Sequence, residues 1–298
     1  MPDAAPPASR YFIAGLGFDS APLAPGLYIV STPIGNLGDI TVRALATLAA
    51  ADLVLCEDTR TSARLLDHYG IKGRREALHE HNERARIEPL LRQLSEGASI
   101  ALISDAGTPL LSDPGFPLVR AARAAGVPIF AVPGASALLA ALAIAGLPTD
   151  SFSFHGFLPA RAMARQKALA RLAGQSETLA FYESPRRLAA TLAALAEVFG
   201  GNREAAVALE LTKRFERLAR GSLAELAAQY GGEETKGEAV ILVAGAEAVM
   251  PEAADWQAAL ADALEDLPLR AAVDAITERF GLKRKDVYDA ALALKAEQ

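Results

Sequence analysis

The hexapeptide SDAGTP at 104–109 directly follows an apolar run, 98–103, that reads as a buried strand. A second turn-rich stretch, LSDPG at 111–115, leads into a helical pattern from Phe116. In an open α/β sheet, ligands bind in the crevice beyond the carboxyl ends of the strands, which is where this loop would lie. Gly107 and Gly115 let the backbone approach a ligand, and Pro109 and Pro114 stiffen the turns. Taken alone, the stretch reads equally well as an ordinary strand-to-helix connection.

The same strand–loop–helix order recurs through the first half of the chain. Strands are predicted at 27–32, 52–56, 98–103 and 127–132, with helices at 42–50, 61–68, 85–94, 118–125 and 135–145. Near-continuous apolar strands separated by helices predict an α/β fold whose mostly parallel sheet is covered on both faces. GLPTD at 146–150 is turn chemistry and marks a boundary. Beyond it, strands at 151–155, 178–182, 205–209 and 239–243 alternate with helices at 162–173, 185–199 and 223–229. Fewer helices per strand predict a mixed second sheet. After Pro251 the pattern is helix only, at 256–264, 269–280 and 283–295. The expected organisation is a flexible tail (1–25), two α/β domains (26–148 and 149–247) and a helical appendage (252–298).

Composition narrows the function classes. A single cysteine excludes an internal disulfide, and four unclustered histidines argue against a metal site. No apolar run reaches the roughly 18 residues of a spanning helix, and MPDAAPPASR lacks the pattern of a secretory signal. A reduced, cytoplasmic protein with no membrane partner is expected. The net charge of −6 argues against coating nucleic acid by charge alone, so the local distribution of basic residues matters more. The loop STPIGNLGDIT at 31–41 has Gly35 and Gly38 but neither the G-x-G-x-x-G spacing nor a phosphate-gripping lysine, which disfavours a dinucleotide or nucleoside triphosphate. Asp39 is placed to cap the helix that follows. Small residues from Gly134 to Ala137 leave room at the next strand end for a ligand or for close helix packing.

Nine motifs in fixed order carry a resemblance: STPIGNLGDIT, CEDTR, LHEHNE, SDAGTPLLSDPG, VPGASA, GFLPA, FYESPRRL, ELTK and KGEAVILV. The chain resembles the ribosomal RNA small-subunit methyltransferase I group of the tetrapyrrole methylase superfamily from about Gly26 to Val243, and more weakly through the helical tail. The resemblance implies 2′-O-methylation of a cytidine in small-subunit (16S) ribosomal RNA, with S-adenosylmethionine held between two α/β domains of a homodimer. It implies cofactor contacts at Pro33, Ile34 and Gly35 in the first loop, and at Asp105, Ala106, Gly107 and Thr108 in the second. Ser136, Ala137, Tyr182 and Leu209 complete the implied set. Ser104 and Ala106 stand where the tetrapyrrole branch has glycine and proline.

Methyl transfer from a sulfonium to an oxygen is an in-line displacement, so orientation supplies much of the rate. A ribose hydroxyl is a poor nucleophile and gains from a nearby base or cation. Glu57, Arg60 and Lys213 are the catalytic candidates, with His79, His81 and Glu183 behind them; the two histidines share a face only if their stretch is extended. For RNA, Arg161, Arg165, Lys167 and Arg171 are spaced at helical intervals, and Arg186, Lys213-Arg214 and Lys283-Arg284-Lys285 add further basic groups. A same-fold enzyme acting on a tetrapyrrole or a modified protein residue, and a non-catalytic ribosome-binding protein, are the competing readings.

Overall fold

A computed structural model describes residues 9–232, 235–246 and 253–296. The chain forms two compact units, 1–245 and 246–298. The first opens with a hairpin, β1 (Arg10–Ile13) against β2 (Leu16–Asp19), which replaces the expected flexible tail over those residues. The apolar triplet Tyr11, Phe12 and Ile13 explains the difference. Tyr11 is buried and stacks on Phe18 at 5.6 Å, and Phe12 N–H donates to the Tyr69 carbonyl at 2.8 Å. The remainder of that expectation, at 1–8, lies outside the described residues.

Five parallel strands make the first sheet: β3 (Gly26–Val30), β4 (Leu53–Cys56), β5 (Arg75–Ala77), β6 (Ser99–Leu102) and β7 (Ile129–Val132), in the order β5-β4-β6-β3-β7. Alternate residues serve opposite cores. Leu27, Leu53, Leu55, Ile100 and Leu102 pack on one face, while Tyr28, Val30, Val54, Cys56 and Ala101 pack on the other. Helices α1 (Val42–Ala50) and α2 (Thr59–His68) cover the second of these faces; α3 (Glu83–Ser95) and α4 (Phe116–Ala124) cover the first. Thr41, not Asp39, caps α1, accepting from Ala44 N–H at 3.1 Å, because Asp39 is taken up in a short 3₁₀ turn.

Helix α5 (Ala137–Ala145) leaves the first sheet and packs on the second, joining the two halves in one unit. Its Leu138, Ala141, Leu142 and Ala145 are buried against Ala180, Ala206, Ala208 and Val240, whose small side chains admit the helix closely. Each leucine buried there stabilises the contact by roughly 2 kcal/mol. The second sheet is mixed: β8 (Phe152–Phe157), β9 (Thr178–Glu183), β10 (Glu204–Leu209), β11 (Arg217–Ser222) and β12 (Ala239–Val243), ordered β11-β10-β12-β9-β8, with only β8 and β9 parallel. Its other face carries α7 (Pro185–Phe199) and α8 (Leu223–Gly231), with Leu169 of α6 (Ala162–Ala170) in the same core.

The second unit is three helices, α9 (Ala253–Asp266), α10 (Leu269–Phe280) and α11 (Arg284–Ala296), around Leu260, Val273, Ile276 and Val287. No helix among the described residues is long and apolar enough to cross a membrane.

Candidate active site

The carboxyl ends of β3 and β6, the first turn of α5 and the ends of β9 and β12 enclose a cavity of about 350 Å³. Two loops from the first sheet form one wall and are bonded to each other. Thr32 and Gly107 exchange backbone hydrogen bonds at 2.8 and 3.1 Å, the Thr32 hydroxyl donates to Ser104 O at 3.2 Å, and the Ser31 and Thr108 hydroxyls lie 2.9 Å apart. Gly107 has φ +79°, a conformation that lets the loop reverse and present its backbone to the cavity. From the second sheet, Tyr182 faces this wall, its ring packed edge-on against Phe154 with centroids 4.7 Å apart.

Backbone strain is concentrated on the cavity. Five non-glycine residues among those described have positive φ, and four of them flank two leucines that line it. Leu110 (+77°) and Ser112 (+69°) bracket Leu111; Glu210 (+52°) and Thr212 (+65°) bracket Leu211. Such conformations are unfavourable by on the order of 1 kcal/mol each and collect at ligand-binding sites. Here they turn an apolar side chain into the cavity from each half of the unit.

The charged groups lining the cavity are acidic. Asp105 and Asp113 line the cavity, and Glu57 is close enough to both to act on them electrostatically. Burial, then the charge of Glu57, pushes Asp113 up to about 6, against a hydrogen bond from Ser104 that works the other way. Burial also raises Glu57 and Asp105, each reinforced by acidic neighbours. Three carboxylates whose charges disfavour one another create a site that a positively charged ligand relieves.

Of the predicted cofactor residues, Ile34, Asp105, Ala106, Gly107, Thr108, Ala137 and Tyr182 line the cavity. Pro33 is buried and is not among the lining residues. Gly35 is exposed, and a Cβ there would run into the Lys213 side chain. Ser136 accepts from Leu139 N–H at 3.5 Å as the cap of α5. Leu209 belongs to the opposite core, because Ala206 and Ala208 occupy the face of β10 that meets α5; Leu211, two residues on, takes the place predicted for it. Asp113 was missed, although its motif was read.

The catalytic candidates disperse. Glu57 interacts electrostatically with Asp105 and is not among the lining residues. Arg60 projects into solvent and forks onto its own neighbour Asp58 at 3.2 and 2.7 Å. Lys213 Nζ is held by Glu210 at 2.9 Å and Glu238 at 3.1 Å. His79 and His81 sit in a turn, not an extended stretch, with ring centroids 5.9 Å apart. The Glu183 carboxylate is buried and occupied by Ser184 N–H (2.8 Å), Thr191 (2.7 Å) and Arg187 (3.2 Å).

The predicted basic helix face is also revised. Arg165 is buried on the same side of α6 as Leu169, whereas Arg161, Lys167 and Arg171 are exposed. Positions 165 and 167 lie about 200° apart around a helix, so they cannot share a face. Arg186 is exposed at the second residue of α7. In the three-helix unit Lys283 and Lys285 are exposed, and Arg284 is bonded to Asp274 at 2.7 Å.

This two-sheet arrangement around a cleft defines a class. Residues 26–227 match the family model of Tetrapyrrole (Corrin/Porphyrin) Methylases, and residues 250–295 match the RsmI C-terminal HTH domain. Among solved structures, the chain is similar to uroporphyrin-III C-methyltransferase from Thermus thermophilus complexed with S-adenosyl homocysteine (TM-score 0.52, 21% identity, 74% of this chain and 97% of that one). It is also similar to the methyltransferase CobJ (TM-score 0.57, 22% identity, 74% and 94%). Proteins named ribosomal RNA small subunit methyltransferase I are much nearer in sequence. That of Mesorhizobium japonicum is 49% identical over 275 residues, 92% of this chain and 94% of the relative. Those of Vibrio cholerae and Escherichia coli O157:H7 are each 46% identical, over 89% of this chain and 93% and 94% of theirs. Within the tetrapyrrole methylase fold, the chain belongs to the ribosomal RNA small subunit methyltransferase I family.

Proposed function

We propose that the chain transfers a methyl group from S-adenosylmethionine to the 2′-oxygen of a cytidine ribose in small-subunit (16S) ribosomal RNA. The observation that carries this is the acidic cavity between Asp105–Thr108 and Tyr182, read together with the name its relatives share. When bound, S-adenosylmethionine supplies an electrophilic methyl group on a positively charged sulfur. The residues present suit that molecule: Asp105 and Asp113 offer negative charge, while Ile34, Ala106, Ala137 and Val240 give narrow apolar walls for an adenosine. The main chain of Asp105–Thr108, pinned to Thr32, supplies polar groups between the two.

Asp113 is the residue placed to receive the ribose proton. Methyl transfer to the 2′-oxygen would release the hydroxyl proton, which the Asp113 carboxylate would accept and return to water, while Asp105 and the Asp105–Thr108 main chain would hold the methyl donor. A carboxylate at about 6 is a stronger base than an ordinary one yet still ionised at neutral pH. Glu57 acts through Asp113 as a positioning charge. The geometry favours neither Arg60 nor Lys213 as the base.

The finer reading, implied by the resemblance, is a cytoplasmic homodimer that meets its RNA within the small subunit; sedimentation of the pure protein measures the first part. Asp105→Ala tests the cofactor assignment by calorimetry with S-adenosylmethionine. Weakened binding with an unchanged melt is expected, and unchanged affinity would contradict it. No heat from the native protein would favour the non-catalytic reading, and methylation of uroporphyrinogen in place of RNA would favour the tetrapyrrole one.

A further inference from the structure

A second cavity, of about 540 Å³, opens beside the first and shares two wall residues with it, Pro185 and Gly237. Among the described residues, the charge changes sign across that shared wall. The first cavity is lined by Asp105, Asp113, Glu183 and Glu238. Among the described residues the second has no acidic group and carries Arg186 and Lys236, with the Thr235 and Tyr230 side chains beside them. Arg186 and Lys236 are exposed, and neither forms an ion pair with a described residue. By contrast, the neighbouring cations Arg187 and Lys213 are both committed to carboxylates.

We infer that this second cavity is a phosphate subsite for single-stranded RNA, formed by Arg186 and Lys236, that receives the backbone phosphate flanking the ribose to be methylated. The inference rests on the proposed function for its register, since that reading puts the ribose in the first cavity. In RNA the 2′-oxygen and the 3′-phosphate are borne on adjacent ribose carbons. A ribose held against the methyl donor therefore carries its phosphate to the rim of the same site. The acidic lining of the first cavity repels that phosphate, and across Pro185 and Gly237 the second cavity offers Arg186 and Lys236. Cations that touch phosphates fix position without reading sequence, which is what a ribose-modifying enzyme requires at the target nucleotide. Sequence reasoning singled out Arg186 but not Lys236, which is 50 residues away in the chain.

The test is binding of a short single-stranded RNA, followed by fluorescence anisotropy across a potassium chloride series, which does not depend on methyl transfer. The full-length Arg186→Ala/Lys236→Ala double variant is compared with the native protein and with an Arg120→Ala/Arg123→Ala control on α4, which removes equal charge from residues lining neither cavity. The subsite predicts that the double variant binds RNA about tenfold more weakly. It also predicts a log–log salt slope shallower by about 0.7, the single-strand value for one phosphate, with S-adenosylmethionine affinity and thermal melt unchanged. A loss no larger than the control's, with an unaltered slope, would overturn the subsite whether or not the protein methylates RNA. A native protein that binds RNA through these two cations but transfers no methyl group would overturn the methyl-transfer reading and leave the subsite standing.

Discussion

Thr32 and Gly107 exchange two backbone hydrogen bonds, 2.8 and 3.1 Å, across the ends of two adjacent strands. This isolated bridge ties the first loop of the fold to the loop that lines the cavity. It depends on Gly107 at φ +79°, a conformation strained for an L side chain, although a Cβ there would meet Ile34 Cγ2 at an ordinary 3.4 Å. Crowding is therefore minor and the penalty is conformational. Gly107→Ala should lower unfolding free energy by about 1–2 kcal/mol and weaken S-adenosylmethionine binding. Denaturant melts and calorimetry check both, and native values for both would mean that the bridge does not hold the loop.

Asp113 predicts a pH signature. Its carboxyl titrates at about 6 in the fold, against 3.8 as an unperturbed group. The folded state therefore binds the extra proton, a contribution fully present below about 3.8 and lost as the pH rises through about 6. Asp113→Asn remains neutral throughout. Without cofactor, it should be more stable than the native protein by on the order of 1–2 kcal/mol at pH 8, after discounting for solvent around a half-buried group, and no more stable at pH 4. Thermal melts at the two pH values decide the sign; the opposite order would remove the basis for the raised titration.

Arg165 and Lys167 should separate structure from RNA contact. The Arg165 Nε is buried without a hydrogen-bond partner, so Arg165→Met should leave stability within about 1 kcal/mol of native or raise it, with RNA affinity unchanged. Lys167→Glu, on the exposed side of α6, should weaken RNA binding without moving the melt. Equal effects of both on the salt dependence of binding would restore the single basic face that their spacing first indicated.

Glu183 is a structural group, though its motif reads as catalytic. It is 2% exposed and holds Ser184, Thr191 and Arg187 at the junction of β9 and α7. Glu183→Ala leaves Thr191 without its acceptor and Arg187 without its carboxylate, and should be destabilising by about 3 kcal/mol. A native-like melt accompanied by lost activity would instead return Glu183 to the list of bases.

The central strands were legible because their apolar runs are buried on both faces, as with Leu53, Val54, Leu55 and Cys56, and the partly exposed β7 and β8 because they are apolar and aromatic. β5 and β11 were not. Each lies at a sheet edge and carries arginines, which is how exposed edges avoid pairing with other chains and also how they escape an apolar pattern. The hairpin at 10–19 was hidden by the proline and alanine residues before it. Within the site, the Asp105–Thr108 wall was readable from its glycine and its position after a strand. Asp113 was not singled out because its standing depends on burial beside Glu57, a residue 56 positions earlier. Leu209 and Leu211 would share a face in a continuous strand, but β10 ends at Leu209 and Glu210 has φ +52°, so Leu211 turns to the α5 side while Leu209 stays in the opposite core.

The most direct measurement uses S-adenosylmethionine with a labelled methyl group and small-subunit ribosomal RNA lacking the modification, followed by alkaline hydrolysis of the product. A 2′-O-methyl group protects the adjoining phosphodiester. Native protein should therefore place the label in an alkali-resistant dinucleotide beginning with cytidine, and Asp113→Asn should reduce that label by about 100-fold or more while still binding the cofactor. Label released in a mononucleotide, or none transferred by the native protein, would contradict the account.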